Sequence, residues 1–467
     1  GNASGYSAGK IIDAGKKIVA PGFIDAHGHI EAIVRNPNAL NYLYDGVTTV
    51  ITGNCGGSAR DIADFFRQVD SAQTGVNVAT LIGHNTVRTM IMEHEGRKPT
   101  SEEQKRMEGL VEKAMLEGAL GLSTGLIYIH GTFSETAEVA GLAKAAAKHR
   151  GIYTSHIRDE GNSVEKAVDE AIEIGRQSGA PVQISHFKIS SKVLWGHSKK
   201  TVGMVEEARR NGYDVTIDQY PYTASSTNLN SRLPSWVFSG GRDSALYRLK
   251  DPATRKKIKE EAIKNIRNSG FKNFGFAAVA NYAADTSFNG KTIAEINRLM
   301  GRKNKAADQA ETIMDMVEKG GAQMVYHIMS EEDVKYIMQY PFAMFGADAG
   351  VPTYGVGAPH PRGYGTNARV LGRYVREMNV ISLEEAVRRM TSLAASRFGL
   401  TDRGSIKEGM AADIVIFDEH AVADNATYQN PHAYSSGFEY VIVNGKISIQ
   451  EGKASDDRYG KSLKKLN

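Results

Sequence analysis

The sequence predicts an α/β protein, a (β/α) barrel with a small β domain attached. Three observations lead there. Apolar, strand-like runs alternate with helical patterns along most of the chain. Residues of the metal-ligand types fall just after several of those runs, and the carboxyl ends of parallel barrel strands converge on one face. Beyond Phe398 the texture changes to short β-type runs punctuated by glycine.

Taken in order, the candidate barrel strands end near Asp25, Thr52, Gly83, Ser123, Ser155, Ser185, Asp218 and Ala347, a count that suits a TIM barrel. Helical patterns cover 103–117, 135–149, 163–178 and 201–211, and the Ala/Lys-rich second of these has strong intrinsic preference for helix. The stretch 226–339 is too long for an ordinary strand-to-helix connection. It carries a charged helical section at 243–268 and further elements around 276–281 and 312–318, and is either an active-site lid or surface decoration. Residues 383–398 read as helix. The runs 412–417, 440–444 and 446–450 read as strands of the small domain, to which 9–19 is expected to add. The expected division is 1–18 as the first part of the small β domain, 19–398 as the barrel with its insertion, and 399–467 as the rest of the small domain.

The bulk numbers narrow the function. A chain of 467 residues fits a large barrel plus an appendage. A formal charge of +4 with no basic tail argues against nucleic acid as a partner. No apolar run is long enough to span a bilayer. The single Cys55 excludes an intrachain disulfide framework and fits a reducing compartment. With no charged-then-apolar leader at Gly1, a cytoplasmic location is expected. The oligomeric state is not indicated.

The chemistry sits at the strand ends. His27 and His29 flank Gly28 after an apolar run; residues two apart on a strand face the same way, so both imidazoles can reach one cation, with Gly28 leaving room between them. Cys55 follows the second strand in Asn54-Cys55-Gly56-Gly57, where a thiolate could bind or bridge metals. His156 and His186 each close a β-like run with the same Ser-His ending. Asp348 follows the last strand, placed to take a proton from a metal-activated water and return it to a leaving amine. Lys188, Tyr220, Tyr222 and Arg362 could hold an anionic substrate, Arg through a bidentate fork, Lys as a point charge and Tyr as a directed donor.

The stretches APGFIDAHGHIE, TTVITGNCGGS, GALGLSTGLIY, YTSHIRDEG, QISHFKIS, DQYPYTASS, HPRGYGTNARVLGRYVRE and GSIKEGMAADIVIFD run over most of the chain. Together they resemble the N-acyl-D-amino-acid deacylases (D-aminoacylases) of the amidohydrolase superfamily. The resemblance implies a distorted TIM (β/α)8 barrel with a small β-sandwich domain built from the two chain ends. It implies zinc-dependent hydrolysis of N-acyl-D-amino acids, a small-molecule substrate, giving a carboxylate and a free D-amino acid. It implies one tightly bound Zn2+ at Cys55, His156 and His186, and a second, weaker position at His27 and His29. Asp348 would be the general acid/base; Lys188, one of Tyr220 and Tyr222, and Arg362 would contact the substrate carboxylate or carbonyl. Related hydantoinase-like members bridge their metals with a carboxylated lysine, and Cys55 argues against that branch. Two departures accompany the match. The residues that family members carry before the segment matching 1–17 are absent, so the small domain is expected to be incomplete. Ala347-Asp348-Ala349-Gly350 replaces the family's Ser-Asp-Gly, so the local turn is expected to differ. The alternatives are another amidohydrolase activity, such as a cyclic amidase or dipeptidase, or a non-catalytic barrel.

Overall fold

The computed structural model describes residues 9–465. Residues 1–8 of the expected first segment therefore lie outside the described residues. Strand β1 (Ile18–Pro21) leads directly into the barrel strands: β2 (Phe23–Asp25), β3 (Val47–Thr52), β4 (Asn77–Thr80) continued after Leu81 by β5 (Ile82–Gly83), β6 (Gly121–Gly125), β7 (Ile152–His156), β8 (Val182–Ile184) and β9 (Val215–Gln219). The insertion contributes β10 (Ser225–Asn228), β11 (Ala277–Asn281) and β12 (Gln323–Tyr326), after which β13 (Ala343–Phe345) returns to the barrel. The chain finishes with β14 (Ile414–Phe417), β15 (Phe438–Val443), β16 (Lys446–Gln450) and β17 (Lys453–Ala454).

The barrel strands pair in parallel as β2-β3-β4 and as β5-β6-β7-β8-β9-β13. Backbone bonds close the two seams: Leu120 N donates to Thr80 O at 2.9 Å on one side, and Ala26 N donates to Phe345 O at 3.1 Å, followed by Asp348 N to His27 O at 2.7 Å, on the other. This is a distorted TIM barrel, with the distortion concentrated at the break around Leu81. Parallel strands covered on both faces need apolar or β-branched residues throughout, and β3 (VTTVIT) is buried at every position. A second apolar cluster packs Ile24, Ile51, Leu81, Leu120 and Met344 with Phe398 and Leu400.

The helices follow local rules. Ser101–Leu116 starts in a capping box, Thr100 accepting from Glu103 N while the Glu103 side chain accepts from Thr100 N. Val164–Ser178 stops at Gly179, whose φ of 73° ends the helix in the left-handed conformation. Two expected single helices are broken. The section 243–268 divides into Gly241–Lys250 and Pro252–Asn268, because Asp251 caps the second helix and Pro252 opens it. The section 383–398 divides at Thr391 into Leu383–Met390 and Ser392–Phe398.

The small β domain is a five-stranded antiparallel sheet, ordered β1-β14-β15-β16-β17, drawn from both ends of the chain. The insertion forms a separate antiparallel sheet, β10-β12-β11, backed by its helices. Arg255 ties those helices together: Nε donates to Glu311 at 2.8 Å, one terminal nitrogen reaches Asp315 at 2.5 Å, and the other meets Glu318. Three carboxylates around one half-buried guanidinium would repel one another without it. Arg255→Met is therefore expected to lower stability by about 2 kcal/mol. Limited proteolysis should show the variant cut first within the insertion; an unchanged melting curve and digestion pattern would contradict this.

Candidate metal centre

All the strand-end residues picked out by the sequence come to the carboxyl end of the barrel. Cys55 Sγ lies 3.3 Å from His27 Nε2 and 3.4 Å from His186 Nε2. His27 Nε2 lies 3.7 Å from Asp348 Oδ1. On the other side of His186, its Nε2 is 2.7 Å from His156 Nδ1. Two overlapping donor groups result, each with its ligand atoms within 4.8 Å of one another: His27, Cys55, His186 and Asp348, and His156, Glu160 and His186. His186 is common to both. His29 stands outside both groups. Its ring is partly exposed, and its Nε2 meets Asp348 Oδ1 at 3.0 Å.

Three of these residues have backbones that L-amino acids seldom adopt. Cys55, His186 and Asp348 have φ of 53°, 35° and 47°. Left-handed backbone at a non-glycine residue costs about 1–3 kcal/mol and clusters at functional sites. Here it turns each side chain inward at a strand end. The glycines serve the scaffold rather than the ion. A Cβ on Gly28 would lie 2.4 Å from Val50 Cγ1, so Gly28 makes room for the neighbouring strand and not for the two imidazoles. A Cβ on Gly56 would lie 2.2 Å from Asn85 Oδ1.

The donor chemistry fits a divalent cation. Burial, with the Asp348 charge added, pushes the Cys55 thiol well above its usual range. Burial also lowers His27 and drives His156 well below the ordinary imidazole value. Each group thus resists ionising as an isolated side chain, and a cation among them would favour the thiolate and the neutral imidazoles. His156 Nε2 is buried without a hydrogen-bond partner, a lone pair suited to a metal.

Surrounding carboxylates orient the imidazoles. Asp218 lies 3.2 Å from His27 Nδ1 and accepts from His186 N at 2.7 Å. Burial opposes ionisation of Asp218, but His27 outweighs it and holds the carboxyl below its usual value. Glu160 sits 2.9 Å from His186 Nδ1 and pairs with Lys188. Burial pushes Asp348 up as well, yet Arg362 at 2.9 Å and the neighbouring histidines hold it well below the ordinary carboxylate range. Sequence reading passed over Glu160, Asp218 and Tyr128. Glu160 lies four residues after His156, Asp218 is itself a strand end, and Tyr128 packs edge-on to His156 with ring centroids 4.7 Å apart.

A cavity of about 610 Å³ opens above Asp348 and Arg362. Ser226, Thr227 and Asn228 of β10, Ala280 and Asn281 of β11, and Gln323 of β12 form one wall, so the insertion builds the site rather than decorating the surface. A second cavity of about 50 Å³ runs past His156, His186, Lys188 and Tyr220, sharing Tyr128, Ser226, Thr227 and Asp348 with the first. Tyr220 Oη has only Met329 Sδ, at 3.8 Å, as a partner among the described residues. Tyr222 lines neither cavity; it packs on His360 with centroids 5.2 Å apart, and its hydroxyl is buried without a partner. No described helix is long and apolar enough to cross a membrane.

Comparison with known proteins agrees with this arrangement. A sequence-family model described as the amidohydrolase family matches residues 10–449. The N-acyl-D-glutamate deacylase of Alcaligenes xylosoxydans xylosoxydans is 36% identical, over 95% of this chain and 86% of its own length. A crystal structure of D-aminoacylase superposes with a TM-score of 0.85 at 30% identity, covering 100% of this chain and 93% of that one. The N-acyl-D-glutamate deacylase from Bordetella bronchiseptica, solved with zinc and a phosphonate mimic of the tetrahedral intermediate, superposes with a TM-score of 0.82 at 34% identity, covering 97% and 90%. A barrel carrying histidine, thiolate and carboxylate donors at its strand ends, matched along nearly its whole length by these proteins, belongs to the amidohydrolase family, in its N-acyl-D-amino-acid deacylase branch.

Proposed function

We propose that the protein hydrolyses the amide bond of N-acyl-D-amino acids, releasing a carboxylate and a free D-amino acid. The observation that carries this reading is the convergence of Cys55, His27, His186 and Asp348 within 4.8 Å, with Cys55 and Asp348 lining a substrate-sized cavity. Cys55, His156 and His186 would hold one zinc ion tightly, with His27 and His29 serving a second, weaker position; the approach of both Cys55 and His156 to His186 Nε2 supports the first. Zinc in such a site supplies Lewis acidity toward the acyl carbonyl and toward water.

The protein's own groups do the rest. Asp348, held ionised by Arg362, accepts the proton of the attacking water and delivers it to the departing nitrogen. The His29 contact fixes the carboxylate plane while that proton moves. Tyr220, its hydroxyl free of any strong acceptor, donates to the oxygen that becomes negative at the carbonyl. Lys188 and Arg362 complete the proposed substrate set, their placement in the cavity walls supporting contact with the carboxylate or carbonyl; of the two candidate tyrosines Tyr220 is the one proposed, since Tyr222 lines neither cavity. The same reading divides the chain into a small domain at 1–18 and 399–467 and a barrel at 19–398 with its insertion at about 226–339; the antiparallel pairing of β1 with β14 supports a small domain built from both ends, with β1 carrying its first part on to Pro21.

Chirality tests the reading. A carboxylate contact, the reacting amide and a side-chain wall fix three substituents of one carbon, so the two enantiomers cannot both fit. The zinc-loaded protein is expected to hydrolyse N-acetyl-D-amino acids at least about a hundredfold faster than their L-isomers, as kcat/KM. Equal rates would remove the D-amino-acid assignment. Turnover of cyclic amides instead would favour a hydantoinase-like activity.

A further inference from the structure

The loop that follows β6 lines more than the catalytic end of the barrel. Tyr128 forms part of the wall of both cavities there, and the next two residues, Ile129 and His130, line a third cavity of about 290 Å³. This third space lies between the β6 loop and the helix Gly241–Lys250 of the insertion. Its apolar lining is Ile129, Phe238, Ala245, Leu246, Leu249 and Val317, and all of these but Ile129 and Leu246 are buried. None of the donors of the metal centre reaches it.

The polar lining has one sign. His94 and Arg242, both exposed, stand at the mouth, and no carboxylate lines the cavity among the described residues. Arg242 has no ion-pair partner among the described residues. Gly240 N donates to His94 O at 3.2 Å, which holds the mouth together. The His94 and His130 rings stack with centroids 5.3 Å apart, and His130 Nδ1 is buried without a hydrogen-bond partner. His130 has φ 77° and ψ −55°, a rare and strained conformation for an L-residue of the kind that gathers at functional sites. Burial, then the neighbours His94, Arg88 and His84, push this imidazole down to about 4, so the ring is neutral at neutral pH and its surroundings are rich in positive groups. An apolar space with a cationic mouth and no acid in its walls matches a molecule with an apolar body and a single negative head.

We propose that this cavity is a second binding site, separate from the catalytic one, for an aliphatic monocarboxylate of medium chain length. The chain packs on Phe238, Leu249 and Val317, the carboxylate faces Arg242 and His94, and His130 Nδ1 gains the partner it lacks. At roughly 30 Å³ for each water-sized group, the volume takes about nine or ten non-hydrogen atoms, the size of octanoate. Hydrolysis of a longer N-acyl substrate releases an acid of this class, so, resting on the deacylase reading in that respect alone, the site would hold the reaction's own product. Two segments join it to the catalytic end. Tyr128 stands beside Ile129 and His130, and Thr227 Oγ1 donates to Tyr128 Oη at 3.1 Å. Asn230 lines this cavity, while Arg232 of the same turn lines the smaller catalytic one. A ligand that orders these segments is expected to change turnover as well.

Octanoate carrying a diazirine at its chain end would be irradiated with the zinc-loaded full chain, and the labelled peptides identified by mass spectrometry. Label is expected at Ile129 or His130 and within 238–249, blocked by excess octanoate but not by octanamide, which keeps the chain and lacks the charge. Label confined to the metal centre, or scattered over the surface, would overturn the proposal. In Arg242→Gln, an exposed position where folding is not at stake, the octanoate concentration that half-blocks the label is expected to rise about tenfold. Ala245→Phe, which fills the cavity, should abolish the label there. Unchanged labelling in both variants would overturn the site. A kinetic arm uses N-acetyl-D-methionine. Octanoate is expected to lower kcat at least about twofold in the parent and to leave it unchanged in Arg242→Gln. Purely competitive inhibition, equal in the two proteins, would put the acid at the catalytic metal and count against the second site. No turnover of this or any other N-acyl-D-amino acid would sink the deacylase reading, and the labelling would still decide the cavity.

Discussion

Replacing Asp348 with asparagine is expected to lower kcat by about a thousandfold while leaving the bound metal in place. The amide is nearly isosteric with the carboxylate but can no longer accept the water's proton. Cys55, His156 and His186 are untouched, and metal content measured on the gel-filtered variant should equal that of the parent. The substitution has a second consequence. Arg362 is buried, and Asp348 is its ion-pair partner at 2.9 Å. Removing one member of a buried pair leaves the other charge uncompensated, so the melting temperature should also fall. Loss of turnover could be blamed on that disturbance. Asp348→Glu provides the control, because it keeps the charge and the basic group but displaces both. Partial activity in the glutamate variant with almost none in the asparagine variant would assign the effect to proton transfer. A fully active Asp348→Asn protein would refute the shuttle.

Cys55→Ala is expected to have the second large effect, through the metal rather than the proton. Cys55 supplies the one sulfur donor in the site, and its Sγ contacts both His27 and His186. With it gone, metal content after dialysis should drop below about a tenth of the parent value, and activity should fall with it. Excess zinc should restore little, since the remaining imidazoles bind more weakly and lose the charge that favours the ion. The apo form should also melt at lower temperature, because an ion that binds only the folded state stabilises it by mass action. The prediction fails if Cys55→Ala retains stoichiometric metal. Stripping the parent protein with a chelator and adding zinc back should, by contrast, remove and restore activity reversibly.

Much of this molecule was legible in the residue order because its signals are local. A β-branched run such as Val47–Thr52 announces a strand buried on both faces, and a chain of such runs alternating with helical patterns announces the barrel. The rule that barrel sites lie at the carboxyl ends then located His27, Cys55, His156, His186 and Asp348 before any distance was known. The breaks at Asp251 and at Thr391 were missed, the first despite a capping aspartate and a proline that were there to be read.

What residue order determined was which side chains stand at the mouth of the barrel, since strand period and strand end are properties of neighbours in sequence. Only the tertiary structure decided how those side chains divide the work. It joined His27 to Cys55 and Asp348, set His29 apart on Asp348, and made His186 the member common to both donor groups. It drew in Glu160 and Asp218, put Gly28 to use for Val50, and brought the insertion over the cavity. Those are contacts between segments remote in sequence, fixed by barrel closure and by left-handed backbone at Cys55, His186 and Asp348. Pairings of that kind depend on where distant strands come to rest, and no local periodicity encodes them.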